Sequence, residues 1–205
     1  LGAPIDDIYS KNDPMIEIAI TPNRPDCLGV YGIARDLAAA GLGTLKPLTV
    51  PAINETTSDK ANIVAPTDQA GLAACPVFAG RIVKNVKNTE SPDWLKNRLT
   101  AIGLRPISAL VDITNYISYS HGRPLHVYDL AKVTGAIGAR LAKAGESFTA
   151  LDEETYELSE TDCVIADEAG VLGLGGIMGG LESGCTEATT DVLIESAWFN
   201  PISIA

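Results

Sequence analysis

The apolar positions of this chain fall into two periods. In MIEIAI (Met15–Ile20), Ile16, Ile18 and Ile20 alternate with Glu17 and Ala19, which predicts a strand. TPNRPD then breaks it with two prolines, and Asp26 is placed to cap the next segment, CLGVYGIARDLAAAG. There Leu28, Ile33 and Leu37 share one helical face, and Gly41 ends the helix. SPDWLKNRLTAIG (Ser91–Gly103) predicts a helix with a serine cap, proline at its first position, an early Asp93 and a terminal Gly103. Pro106–Gly122 places Ile107, Leu110, Val111, Thr114 and Ile117 at helical spacing.

The remainder reads differently. CPVFAGRIVKNV (Cys75–Val86) is strand-like, and AIGARLAK, FTALD, TYELS, DCVIAD, GVLGL and DVLIESAWF are short, β-rich and divided by Gly, Asp or Glu. Strands following helices without regular alternation predict an α+β fold with a mixed, largely antiparallel sheet and a few helices. A small α/β flank, residues 1–48, precedes it. Residues 49–60, rich in Thr, Pro and Ser, read as a linker, and 61–205 form the main domain.

Composition narrows the chemistry. The net charge of −11, from 15 Lys and Arg against 26 Asp and Glu, opposes a grip on a long nucleic-acid backbone by this chain alone. The four cysteines form no C-x-x-C pair and only two histidines occur, so no metal site is expected, and reduced thiols fit better than disulfides. No apolar run is long enough to cross a bilayer, and the chain opens on LGAPIDD, acidic and without an initiator Met, as a piece of a longer protein would.

Two stretches concentrate functional possibilities. GVLGLGGIMGG (170–180) holds six glycines in eleven residues. It is not a dinucleotide fingerprint, because Met178 stands where the third glycine belongs. It is not a phosphate-binding P-loop either, because Leu181 and Glu182 follow Gly180. The glycines then serve tight strand turns or a close approach of backbone to a ligand. The second stretch, Val111–Leu130, carries His121, His126, Asn115, Asp112 and Asp129. A metal on His126 and Asp129 lacks further ligands, and a Ser–His–Asp hydrolase lacks the nucleophile elbow. On residue type alone, His126 packs at a helix start and donates to a backbone carbonyl.

Taken in order, ITPNRPDCLGVYGIARDLAA, RPISALVDITNY, RPLHVYDL, LGLGGIMGG and VLIESAWFNP resemble the beta subunit of bacterial phenylalanyl-tRNA synthetases, nearly end to end. Arg123, where glutamine is more frequent, and Gly175, where alanine is, depart from that pattern. The resemblance implies the editing module, which hydrolyses tyrosine mischarged onto the 3′ end of tRNA-Phe. By motif, Glu195 corresponds to the glutamate that reads the tyrosine hydroxyl, and Gly176 and Ala197 to pocket walls. His126 and Asn115 correspond to polar groups near the ester and terminal ribose, with Thr114 adjacent. The resemblance further implies an alpha subunit as partner, a cytoplasmic enzyme, and ATP and magnesium used only by the parent's aminoacylation centre. No cofactor is implied for this chain. The alternative is a non-catalytic assembly or tRNA-docking module.

Overall fold

The structure is a computed structural model that describes Gly2 and residues 15–205. The helices are α1 (Val30–Ala39), α2 (Gln69–Ala74), α3 (Asp93–Ala101), α4 (Ala109–His121) and α5 (Pro201–Ile204). The longer strands are β1 (Val77–Val83), β2 (His126–Asp129), β3 (Gly138–Leu141) and β4 (Ser147–Thr149), then β5 (Thr155–Glu157), β6 (Cys163–Ala166), β7 (Val171–Leu174), the two-residue β8 (Met178–Gly179) and β9 (Val192–Trp198). This is the expected α+β composition, with antiparallel ladders in all three sheets. The contacts divide the chain into two units: Leu1–Lys46 with Thr89–Arg123, and Pro47–Asn88 with Pro124–Ala205. Residues 44–62 carry no helix or strand.

In the first unit α3 buries Leu95 and Leu99 at helical spacing, and a buried polar group adds to that apolar contact. Asp112 of α4 is fully buried; one carboxylate oxygen accepts from the Ser91 hydroxyl at 2.6 Å and the other from the Ile107 N–H at 2.9 Å. Ser91 is therefore drawn away from capping α3, whose N-cap position falls to Pro92 without a side-chain bond. The expected cap at Asp26 is corrected too. Asp26 sits in a 3-10 turn, Pro25–Cys27, and pairs with Arg24 and Arg35, while Gly29 precedes α1. Charge pairing has displaced the local cap. Gly29 lies so close to the backbone of His121 and Gly122 that a Cβ there would collide. The predicted strand at Met15–Ile20 is absent: no described residue pairs with it, and Ile16 and Ile18 are exposed. A strand needs a partner ladder, which alternation alone does not supply.

The second unit stacks sheets. β1-β9-β2 form a three-stranded sheet and β3-β6-β7-β8 a four-stranded one, while β4 and β5 pair as a hairpin. β6, CVIA, is buried at every position, so it meets apolar neighbours on both faces. Cys163 and Ile165 join Tyr128, Leu193, Ile137 and Cys75 in one core, whereas Val164 and Ala166 join Phe148, Ala150 and Leu158 in another. The first core lies between the two larger sheets, and the residues of interest face it.

Candidate functional site

β9 is the central strand of its sheet and carries VLIESAW. Side chains alternate across a strand, so Leu193, Glu195 and Ala197 share one face. Leu193 is a core residue and Ala197 packs against that core, which places the Glu195 carboxylate among apolar groups. Glu195 is only 7% exposed. A carboxylate in such a setting must be paired or serve a purpose.

The neighbouring strands are in register with it. Glu195 stands opposite Gly80 on β1 and opposite His126 on β2. His126 is thus not at a helix start, as residue type had implied, but opens a strand whose HVYD run puts His126 and Tyr128 on the same face. Their rings meet edge to face with centroids 4.5 Å apart. The Tyr128 hydroxyl donates to Glu195 Oε2 at 2.7 Å, within the core. Tyr128 itself is 1% exposed.

His126 does not donate to a backbone carbonyl through Nε2; that nitrogen is buried without a hydrogen-bond partner. Burial holds the imidazole below its ordinary pKa, so the ring is neutral at neutral pH. Burial likewise pushes the Glu195 carboxyl above its ordinary value, with the Tyr128 hydrogen bond pulling against that rise. The Tyr128 phenol goes well above its ordinary value, through burial first and Glu195 second. Cys75 and Cys163, which feel the Glu195 charge, are pushed up to about 12 and about 11, chiefly by burial, and so remain neutral thiols. A neutral base and a desolvated carboxylate therefore face one another across a strand pair.

The glycine-rich run is the β7–β8 hairpin. Gly176 adopts φ +72° in its turn, a region open to glycine, and a Cβ there would sit 3.0 Å from the Phe199 ring. At Gly179 a Cβ would fall 2.7 Å from His126 Nε2 and closer still to Cε1. The backbone of the hairpin is pressed against the imidazole, which only glycine permits. Tyr128, Gly179 and Phe199 were not singled out in the sequence; a strand reading of HVYD would have exposed the first of them.

Asn115 and Thr114 are on α4 of the first unit, half-buried, and the Thr114 hydroxyl donates to the Val111 carbonyl at 2.8 Å. Asp129, the possible metal partner of His126, is an odd number of residues along the strand and so faces away from it. Its oxygens accept from Thr189 at 2.6 Å and from the Ala131 N–H at 3.1 Å. Among the described residues, the group of potential metal ligands that comes together is Asp26, Cys27 and Asp36, already engaged by Arg24. A separate cavity of about 580 Å³, lined by Phe148, Thr149, Val171, Gly180 and Ser183 among others, contains none of the expected site residues.

Residues 74–205, which span β1 through α5 and all of these core-facing groups, match the B3/4 domain. The chain belongs to the B3/4 domain family. Its sequence is similar throughout to phenylalanine–tRNA ligase beta subunits. That of Paramagnetospirillum magneticum is 58% identical over 208 residues, covering all of this chain and 26% of the relative. That of Cereibacter sphaeroides is 53% identical, covering all of this chain and 25% of the relative. The chain thus spans about a quarter of the length of these relatives. Its fold is also similar to the crystal structure of an N-terminal fragment of the phenylalanyl-tRNA synthetase beta subunit from Pyrococcus horikoshii, with a TM-score of 0.51 at 18% identity. That likeness covers 88% of this chain and 54% of the fragment.

Proposed function

We propose that this B3/4 domain is an editing hydrolase that removes tyrosine from mischarged tRNA-Phe. The observation that carries the reading is Glu195, a nearly buried carboxylate that takes a phenol as its hydrogen-bond donor and pairs across the ladder with His126, whose Nε2 has no hydrogen-bond partner. A tyrosine ligand offers that carboxylate a second phenol. Phenylalanine offers none, and would bury the other carboxylate oxygen without a donor at a cost of roughly 1–3 kcal/mol or more. Such a penalty separates two amino acids that an apolar synthetic pocket distinguishes poorly.

In this reading water attacks the ester carbonyl directly. The neutral His126 positions that water, or the terminal ribose, and accepts its proton where it acts as base. Gly176 and Ala197 wall the ring pocket, and the sequence resemblance assigns Asn115 and Thr114 to the ester and ribose. The parent protein pairs with an alpha subunit and attaches phenylalanine to tRNA-Phe in the cytoplasm, using ATP and magnesium at a centre outside this chain. The domain itself needs no cofactor.

One observation favours the second reading, a non-catalytic assembly or tRNA-docking module: the groups around Glu195 are filled by the protein's own rings, Tyr128 on the carboxylate and Phe199 against Gly175 and Gly176. Deacylation separates the two. With tyrosyl- and phenylalanyl-tRNA-Phe as substrates, the editing reading predicts faster loss of tyrosine, and Glu195→Ala removing that preference. A chain that hydrolyses neither ester, alone or within the parent synthetase, is a docking module.

A further inference from the structure

Glu195 is coordinated unequally. Among the described residues its side-chain hydrogen bond is the one from Tyr128, and it falls on Oε2. Tyr128 cannot leave this position easily. Its ring is 1% exposed, stands opposite Leu193 in the β2–β9 ladder, and is braced by the edge of His126 with centroids 4.5 Å apart. The phenol and the carboxylate lie 67 positions apart in sequence, so the contact is tertiary and owes nothing to local structure.

We propose that Tyr128 is the positioning residue that gives Glu195 its specificity. Its hydroxyl fixes Oε2 within the sheet, so that Oε1 is presented to the phenol of an incoming tyrosyl group. This rests on the editing reading for the identity of the ligand, but the coupling between Tyr128 and Glu195 stands without it. A buried carboxylate free to rotate would expose either oxygen and would take up a proton more readily. Once protonated it becomes a donor as well as an acceptor and discriminates the phenol less well. A charge-assisted bond from a rigid donor prevents both.

The titratable groups facing Glu195 are few. On β2 they are Tyr128 and His126; beside β1 and on β6 they are the thiols of Cys75 and Cys163. Both thiols and the imidazole are neutral near pH 7, through burial. The Tyr128 hydroxyl is thus the group in this set that stabilises the charged form of Glu195.

The test is a ¹³C titration of the Glu195 carboxyl carbon in the wild-type chain and in Tyr128→Phe, with Glu195→Ala identifying the resonance. Removing the hydroxyl while keeping the ring moves the Glu195 midpoint upward. It also reduces the ratio of tyrosine to phenylalanine affinity by about tenfold, the worth of a hydrogen bond to a charged group. A purely structural tyrosine would leave the midpoint where it was. A second measurement does not depend on the variant folding: replacing all six tyrosines with 3-fluorotyrosine makes the phenol a stronger donor and moves the Glu195 midpoint downward. An unmoved midpoint in either experiment overturns the inference. A moved midpoint together with equal tyrosine and phenylalanine affinities in the wild type keeps the coupling, and overturns both the editing reading and the specificity assigned to Tyr128.

Discussion

A carboxylate kept in a core at a cost to stability should reveal itself when its charge is removed. Glu195→Gln is nearly isosteric and keeps an oxygen able to accept from Tyr128. In the wild type one carboxylate oxygen takes the Tyr128 hydrogen bond and the other has no protein donor among the described residues. Among the described residues the enclosed side-chain atom without a partner is His126 Nε2, so the second Glu195 oxygen keeps contact with water. What removing the charge relieves is the desolvation of a largely buried carboxylate, on the order of 2 kcal/mol. Exchanging the charge-assisted bond for a neutral one gives back about 1 kcal/mol of that gain. The net expectation is a chain about 1 kcal/mol more stable at pH 7, or a Tm roughly 2–4 °C higher for a chain of this size.

The pH dependence makes this prediction specific. Because burial raises the folded-state pKa of Glu195, the folded chain holds the proton more tightly than the unfolded one. The stability contributed by Glu195 is fully present below about pH 4.5, its ordinary value, and is lost as pH rises through the folded value. His126, depressed by burial, acts in the opposite sense and loses stability as pH falls. Comparing variant with wild type cancels that second contribution. Urea denaturation from pH 4 to 8 should therefore show a difference that is small in acid and grows toward neutrality. A Gln variant that is less stable by the same amount at every pH would mean that the Glu195 charge is not held at a desolvation cost.

Two further outcomes follow from the same geometry. His126→Ala should slow tyrosyl-ester hydrolysis by about a hundredfold, the low end for a positioned acid–base group, and in the wild type the rate should fall only below the ordinary imidazole value of 6.5, because burial lowers the pKa; an unchanged rate in the variant removes His126 from the mechanism. Asp112→Ala should destabilise the first unit by about 3 kcal/mol in urea titration, since it strands the Ser91 hydroxyl and the Ile107 N–H; a loss under 1 kcal/mol would mean that water replaces the carboxylate.

Much of the strand content was legible because period-2 runs are bounded by turn residues, as at Thr155–Glu157 and Val192–Trp198. Glu195 could be marked as a carboxylate within an apolar strand, although only the core on the Leu193 face decides which way it points. The failures share a cause. Asp26 and Ser91 have the chemistry of helix caps, yet arginines and a buried aspartate elsewhere in the chain compete for them. MIEIAI has the alternation of a strand but no described partner. HVYD is four residues long and runs into a 3-10 turn, too short for its period to stand out, so the Tyr128–Glu195 contact was invisible. Local patterns specify local structure, and these features depend on residues distant in sequence.

The role proposed for the core-facing carboxylate of Glu195 is to read a phenol. Its most direct test is a titration of the ¹⁵N-labelled chain with tyrosine and then with phenylalanine, following the amides of Gly176, Gly179, His126 and Glu195. Tyrosine should shift these amides, and phenylalanine should bind tenfold or more weakly, the difference one hydrogen bond to a charged group makes. Equal shifts with both amino acids would contradict that role.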